Sequence, residues 1–367
     1  MNRWARVVRD TLPLIGAAMG LVILFVAAVA FQDSEGFAYD FAAYDSAARR
    51  VLAGEPLYLP GTSAAYSLGE FEGLYLYPPP VALALTPLAL LSTDAAAIAW
   101  YAFRVVLLAA GCALLPVTWA ARMVTFAVAA VSFPVLFDLN LGNISVVIYA
   151  LTALAWRLAD GPAAATVHAA LVFLRIPFGV FGFLWLAQRR WRMVAHAIVA
   201  GLVIIAIALP VVGLDGYREY LSILTTLPDV SAGEHNFSLK SMALDAGLGV
   251  AIANLALLGG VLLGVLAVVF AGLRRDRDTA FVVASVATLL TAPFLHPHYL
   301  VILLLPAALL FDRLSPAAGA LPLVGWLPGS ILPLVSVVLL AILLMPAVSR
   351  RDPQRLVAGS RPAAGVT

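Results

Sequence analysis

Asp40 opens the stretch YDFAAYDSAARRVLAGEPLY, with Tyr44 four residues on and Ala47 seven residues on. If residues 40–52 are helical, those three share one face, and Asp45 forms an i, i+4 ion pair with Arg49 on another. Two chemistries fit this pattern. The acid is either a solvated charge on an amphipathic helix, or a carboxylate shielded by aromatic rings. In the second case its pKa rises and it can take a proton from a hydroxyl as a general base. Gly54, in AGEPLY, stands where a glycine would end the helix.

Four further groups of residues carry polar chemistry. Arg175, in LRIPF, is a lone cation in an apolar stretch; it either snorkels to lipid headgroups or presents its planar fork of donors to a phosphate. Lys240 is the only lysine in the chain and lies in EHNFSLKSM with His235, Asn236 and Ser238. That segment is either a sugar- or phosphate-binding loop or an ordinary polar loop, and its Asn-Phe-Ser is also a glycosylation sequon. His296 and His298, in HPHY, are two residues apart. Pro297 between them and the lack of a nearby acid argue against a metal pair, which leaves hydrogen bonds to a phosphate or a sugar hydroxyl. Tyr75 and Tyr77, in LYLYPPP, are either an aromatic belt at headgroup depth or one stiff wall of a lipid groove.

No Walker loop, GxGxxG fingerprint, zinc motif or nucleophile elbow occurs. Neither a nucleotide, nor a nucleic acid, nor a cofactor or metal is therefore expected. The single cysteine, Cys112, lies in an apolar run, which excludes a disulfide framework.

The elements that must position these groups follow from composition. Of 367 residues, 63% are hydrophobic and only 11% charged; soluble domains carry about 25% charged residues. The chain is expected to be an all-α polytopic membrane protein. Arg3, Arg6 and Arg9 precede an apolar run, about residues 12–31 by hydropathy, which reads as an uncleaved first span with its N-terminus inside. Residues 32–94 then lie outside, with eight acids and two arginines. Within them Tyr77–Ser92 reads as a helix at the outer interface. Further spans are expected over residues 95–119, on to FDLNLGN, over 144–156, over 194–213, up to RRDRD, and over 279–291 and 299–311. A hairpin of two short helices breaks at Arg175-Ile176-Pro177. The total is about 10–12 spans in one transmembrane domain, residues 1–349. A second outer loop covers 214–248, and 350–367 form a cytoplasmic tail. On this path Asp40, Asp138, Asn140, Asn143, Arg175, His235, Asn236, Lys240, His296 and His298 all fall on the outer side, which suggests one site there.

In their order, YDFAAYDSAARRVLAGEPLY, YLYPPPVALALTPLALL, LNLGNISVVIYAL, LRIPFGVFGFLWLAQRRWR, HNFSLKSM and PFLHPHYLVILLLPAAL resemble the membrane glycosyltransferases of GT-C type, in particular family 87. That group includes polyprenol-phosphate-mannose-dependent alpha-mannosyltransferases. The resemblance implies a GT-C fold with outer-face interfacial helices, in a bacterial plasma membrane. It also implies a polyprenyl-phosphate sugar donor, typically mannose, and a glycolipid or glycan acceptor. Asp40 matches the family's catalytic aspartate and His298 its histidine near the donor phosphate. Arg175 stands where the family often has Lys, and with Lys240 completes the cations expected at that phosphate. Tyr44, Asp45, Tyr77, Asn143, His235, Asn236 and His296 are then expected around sugar and acceptor. Asn143 departs from the family's commoner Gly-Gln, and Phe237 from its Asn-Gln-Ser. The rival classes are a secondary transporter and a flippase of lipid-linked sugars. A transporter would place charges at mid-membrane, and here most charges cluster at span ends, with Arg104 inside an expected span as an exception.

Overall fold

The computed structural model describes residues 3–34, 36–59, 61–62, 74–226 and 236–348. Among them the regular elements are all helical. α1 (Arg3–Gln32) is followed by α2 (Tyr39–Ala53), α3 (Pro79–Leu85), α4 (Thr93–Leu114), α5 (Trp119–Ala129), α6 (Phe133–Leu141) and α7 (Ser145–Leu158). Then come α8 (Pro162–Leu174), α9 (Val180–Ala187), α10 (Trp191–Thr226), α11 (Leu239–Asp245), α12 (Val250–Arg274), α13 (Arg277–Leu290), α14 (Leu304–Arg313) and α15 (Leu332–Leu343).

Four helices are long and apolar enough to cross a bilayer: Thr11–Gln32, Thr93–Leu114, Trp191–Thr225 and Val250–Arg274. A fifth span results if α5 and α6, bent by 59° at their junction, are taken as one. The shorter apolar helices are Ser145–Leu158, Pro162–Leu174, Ile176–Ala187 and Gly329–Leu343. At about 1.5 Å per residue, a 14-residue helix covers only about 21 Å, so the higher span count read from hydropathy includes segments shorter than the hydrocarbon core. The chain is an all-α multi-pass membrane protein. Its faces agree with that solvent. On α1, Leu12, Val22 and Phe25 are exposed, the last by 71%, whereas every residue of α13 from Thr279 to Leu290 is buried. Lipid meets the first helix and protein surrounds the thirteenth.

Local chemistry sets the ends that matter for the site. Gly54 ends α2 in the left-handed region at φ 68°. Its N–H donates to the Val51 carbonyl, and that of Glu55 to Arg50, the closure expected of a terminal glycine. The interfacial helix over Tyr77–Ser92 is shorter than expected. α3 stops at Leu85, and a single tight turn, Leu88–Leu90, follows Pro87, whose ring removes a backbone donor. The hairpin does break at Arg175, which is extended (φ −158°, ψ 108°), before the turn Ile176–Gly179. The expected loop at 214–248 is helical over its first part. α10 runs on to Thr226 through a kink at Gly213 (φ 67°, ψ 177°), because LDGYREY is polar yet helix-compatible. Residues 321–345 hold one helix, α15, preceded by a tight helical stretch, Pro316–Trp326.

Candidate functional site

Asp40 lies in the first turn of α2, and α2 is held against the turn joining α6 to α7. The Ala38 N–H donates to the Asn140 carbonyl at 2.7 Å, and the Ser34 hydroxyl to Asn140 Oδ1 at 2.9 Å. Gly142, in that turn, has φ +78°, and a Cβ there would stand 2.6 Å from Phe41 Cβ. Glycine is required twice over, for the backbone conformation and for the close approach of α2. Trp100, on α4, donates from Nε1 to the Gly142 carbonyl at 2.7 Å and stacks on Phe41. Three elements thus fix where Asp40 begins.

The carboxylate is half-buried and, among the described residues, takes one hydrogen bond, from Asn143 Nδ2 to Oδ2 at 2.8 Å. Burial raises its pKa above the ordinary aspartate value, against the Asn143 hydrogen bond and the Arg104 charge, which pull it down. Behind the turn is a buried ion pair. Arg104, 1% exposed, approaches Asp138, fully buried, at 3.3 Å. Its NH1 also donates to the carbonyls of Asp138 (2.6 Å) and Asn143 (3.2 Å), and its NH2 to that of Leu139 (3.0 Å). Asp138 Oδ1 accepts from the Ser145 N–H at 2.9 Å. The cation therefore satisfies carbonyls at the end of α6, and the acid satisfies an N–H at the start of α7.

Tyr44, buried one turn along α2, meets Tyr77 edge to face at 5.3 Å. Tyr77 feels the charges of both Asp40 and Arg175. The Arg175 guanidinium lies over the Tyr299 ring, 3.6 Å from its centre, and donates to the Phe294 carbonyl. Tyr299 in turn feels both Asp40 and Arg175. Tyr77, Arg175, His296 and Tyr299 also line a cavity of about 440 Å³, whose remaining walls include Phe173, Leu174, Leu224 and Phe294. A carboxylate, a guanidinium and a largely apolar cavity thus share one tyrosine cluster.

His298 is buried, parallel to His296 at 5.5 Å and edge-on to Tyr299 at 4.4 Å. Neither of its ring nitrogens finds a hydrogen-bond partner among the described residues, so its polar capacity is unspent. Asn236 braces this loop: its Oδ1 accepts from the N–H groups of Ser238 and Leu295, and its Nδ2 donates to the Pro293 carbonyl. The Phe237 N–H adds a bond to the Leu295 carbonyl. Lys240 is buried in the first turn of α11, directly after that brace. Asp45 pairs with Arg49 at 2.8 Å, as the spacing predicted. Arg49 also holds the carbonyls of Ala89 and Leu91, so the pair fastens α2 to the segment after α3. His235 lies outside the described residues. Among those described, no group of three or more His, Cys, Asp or Glu could hold a metal ion.

The structure brings together Asp40, Tyr44, Tyr77, Asn143, Arg175, His296 and His298. Sequence reading passed over Arg104 and Tyr299 as functional candidates. The signal for the first was a lone arginine inside an expected span, with an acid, Asp138, at the outer end of the next one.

No curated protein matches the chain. Residues 75–297 match the sequence profile of glycosyltransferase family 87, more than half of the protein and a stretch that holds Tyr77, Asn143, Arg175, Asn236, Lys240 and His296. Asp40 precedes the matched stretch, and His298 follows it by one residue. On this match the chain belongs to glycosyltransferase family 87.

Proposed function

We propose that this glycosyltransferase moves a sugar, mannose in the first instance, from a polyprenyl-phosphate donor to a hydroxyl of a glycolipid or glycan. The reaction takes place at the outer membrane face. The observation that carries this reading is the shared tyrosine cluster. Tyr77 and Tyr299 each feel the charges of both Asp40 and Arg175, and both tyrosines line the apolar cavity together with Arg175. An acceptor hydroxyl needs one base, and a phosphate leaving group needs a cation. A prenyl chain needs an apolar wall.

The displacement is single. The acceptor oxygen bonds to the anomeric carbon while its proton passes to the Asp40 carboxylate. The bond from that carbon to the phosphate oxygen breaks, and the lipid phosphate leaves with the electron pair. One displacement inverts the centre, so a beta-linked donor gives an alpha-linked product. Arg175 donates to the departing phosphate, with His298 beside it as a further donor and Lys240, from α11, as the third donor of this proposal. Asn236 acts on this group indirectly, through the loop it braces. The absence of any nucleotide-binding motif from the sequence fits a donor activated by lipid phosphate.

The test is transfer of label from polyprenyl-phosphate-mannose to a mixed glycolipid pool by purified protein. Wild type should transfer, and Asp40→Asn should lose at least about 10²-fold in rate while remaining folded in the membrane. Turnover by Asp40→Asn at the wild-type rate would remove Asp40 as the base. Transfer by neither, with the fold intact, would turn the reading towards another lipid-linked sugar or towards transport.

A further inference from the structure

We infer that Asn143 is a positioning residue for the base, and that it assigns the two oxygens of Asp40 different tasks: Oδ2 is anchored and Oδ1 receives the proton. The inference rests on Asp40 being the base.

The geometry begins with the orientation of the amide. Asn143 Oδ1 accepts from the Ile144 N–H at 2.7 Å and from the Ser145 hydroxyl at 3.2 Å. A flipped amide would set its NH2 against the Ile144 N–H, donor against donor, which settles the choice that orientation alone leaves open. Nδ2 must therefore point away from α7, and it donates to Asp40 Oδ2 at 2.8 Å. Among the described residues Asp40 Oδ1 takes no hydrogen bond, so its lone pairs remain for an acceptor hydroxyl.

The backbone beneath Asn143 is held as firmly as its side chain. Arg104 binds the Asn143 carbonyl together with those of Asp138 and Leu139, and Trp100 binds that of Gly142. Arg104 and Asp138 are almost wholly out of solvent. Removing either would leave the other's charge buried and unpaired, an arrangement proteins avoid. The turn is thus a rigid support whose one side-chain donor meets the base. In the reaction, the acceptor O–H gives its proton to Oδ1 as the new bond to the anomeric carbon forms and the bond to phosphate breaks. Oδ2 keeps the Asn143 hydrogen bond throughout, and this fixes the carboxyl plane.

The other titratable groups facing Asp40 are Tyr44 on its own helix, Tyr77 from residues 74–78, Tyr299 from the turn Pro297–Leu303, and Arg104 behind the α6–α7 turn. The tyrosines are neutral where a carboxyl titrates. Arg104 favours the carboxylate and is unchanged by substitution at Asn143. A hydrogen bond donated to the charged form lowers an acid's pKa, so its loss raises it.

The experiment compares wild type, Asn143→Ala, Asn143→Gln and Asp40→Asn as full-length protein in lipid nanodiscs, with two readouts. One is the pH profile of kcat/KM for transfer from polyprenyl-phosphate-mannose. The other is the infrared carboxyl C=O band absent from Asp40→Asn, titrated without substrate. In Asn143→Ala both the acid limb and the appearance of the band should move up by about one pH unit, with kcat lowered on the plateau. Asn143→Gln, which keeps a donor, should return both readouts towards wild type. A band and limb unmoved in Asn143→Ala, with Asp40→Asn inactive, would overturn this inference and leave Asp40 as the base. An active Asp40→Asn would bring down both.

Discussion

At the scale of the residue, the site depends on what each polar atom already does. Asp40 is the clearest case. Burial raises its pKa, and the Asn143 hydrogen bond and the Arg104 charge restrain the rise. A base works only when deprotonated, and a raised pKa means that protons are held to higher pH. The rate should therefore fall on acidification at a pH above the usual aspartate range of about 4, with the carboxylate, and the activity, restored above that limb. A pH profile of kcat/KM with no acid limb above that range would contradict the burial argument. The helix that places Asp40 one turn from Tyr44 was legible in the sequence, from their i, i+4 spacing; the spacing alone left open whether the acid is a solvated charge or a base. Asn143 was legible only as a member of the cluster. Its hydrogen bond to Asp40 joins residues 103 apart in sequence, and no periodicity within one helix reports on that. Arg104 shows the same limit: an arginine inside a span announces a buried partner, but only the packing of α4 on α6 and α7 identifies it as Asp138.

At the scale of the element, helix ends rather than helix bodies build the site. α2 begins, α6 ends, α7 begins and α8 breaks within it, and each boundary has its own residue: Ala38 at φ 58°, Gly142 at φ 78°, Asn143, and the extended Arg175. The glycine that ends α2 and the proline that interrupts the hairpin could be read from sequence because both act locally. Gly142 could not be weighed that way, because its second reason for being glycine is Phe41, on another element. Gly142→Ala must accept a strained left-handed residue, about 1–2 kcal/mol, and must also push α2 off the turn, since the new Cβ would lie 2.6 Å from Phe41 Cβ. The predicted outcome is a protein that still inserts in the membrane, with a lower melting temperature and a kcat reduced more than the donor KM is raised. Ala at Gly54, also left-handed but with nothing within 4 Å of its Cβ, should cost some stability and little turnover. Equal losses of turnover at the two positions would show that strain alone matters, and not the spacing of α2 from the turn. The polar extension of α10 beyond Gly213 was hidden for a different reason: hydropathy finds where a helix leaves lipid, not where the helix stops.

At the scale of the whole molecule, the solvent on each face decides how substrate arrives. α1 and α10 are only 11% buried over their apolar windows, so most of their side chains meet hydrocarbon, and the charged groups of the site other than Arg104 are gathered at helix ends. The fold class was readable from composition alone, because a chain 63% hydrophobic and 11% charged has too little polar surface to face water. The number of spans was not readable, since α7, α8 and α9 are too short to cross the bilayer untilted and rely on neighbours for burial. The cavity beside Arg175 has apolar walls and is lined by Tyr77 and Tyr299, the tyrosines that also feel Asp40, which suits the proposed donor, a lipid that stays in the bilayer. Each buried methylene is worth about 0.8 kcal/mol, so a polyprenyl chain of many carbons is wholly partitioned into lipid, and its aqueous concentration is negligible. The enzyme should accordingly respond to the donor's mole fraction in the membrane. With protein and polyprenyl-phosphate sugar held constant in proteoliposomes, raising the inert lipid in those same vesicles should lower the initial rate in proportion to the dilution, below saturation. Adding buffer to the same vesicles should leave the turnover per enzyme unchanged. A rate that follows bulk volume and ignores lipid dilution would mean that the donor reaches Arg175 from water, and the apolar cavity would then need another occupant.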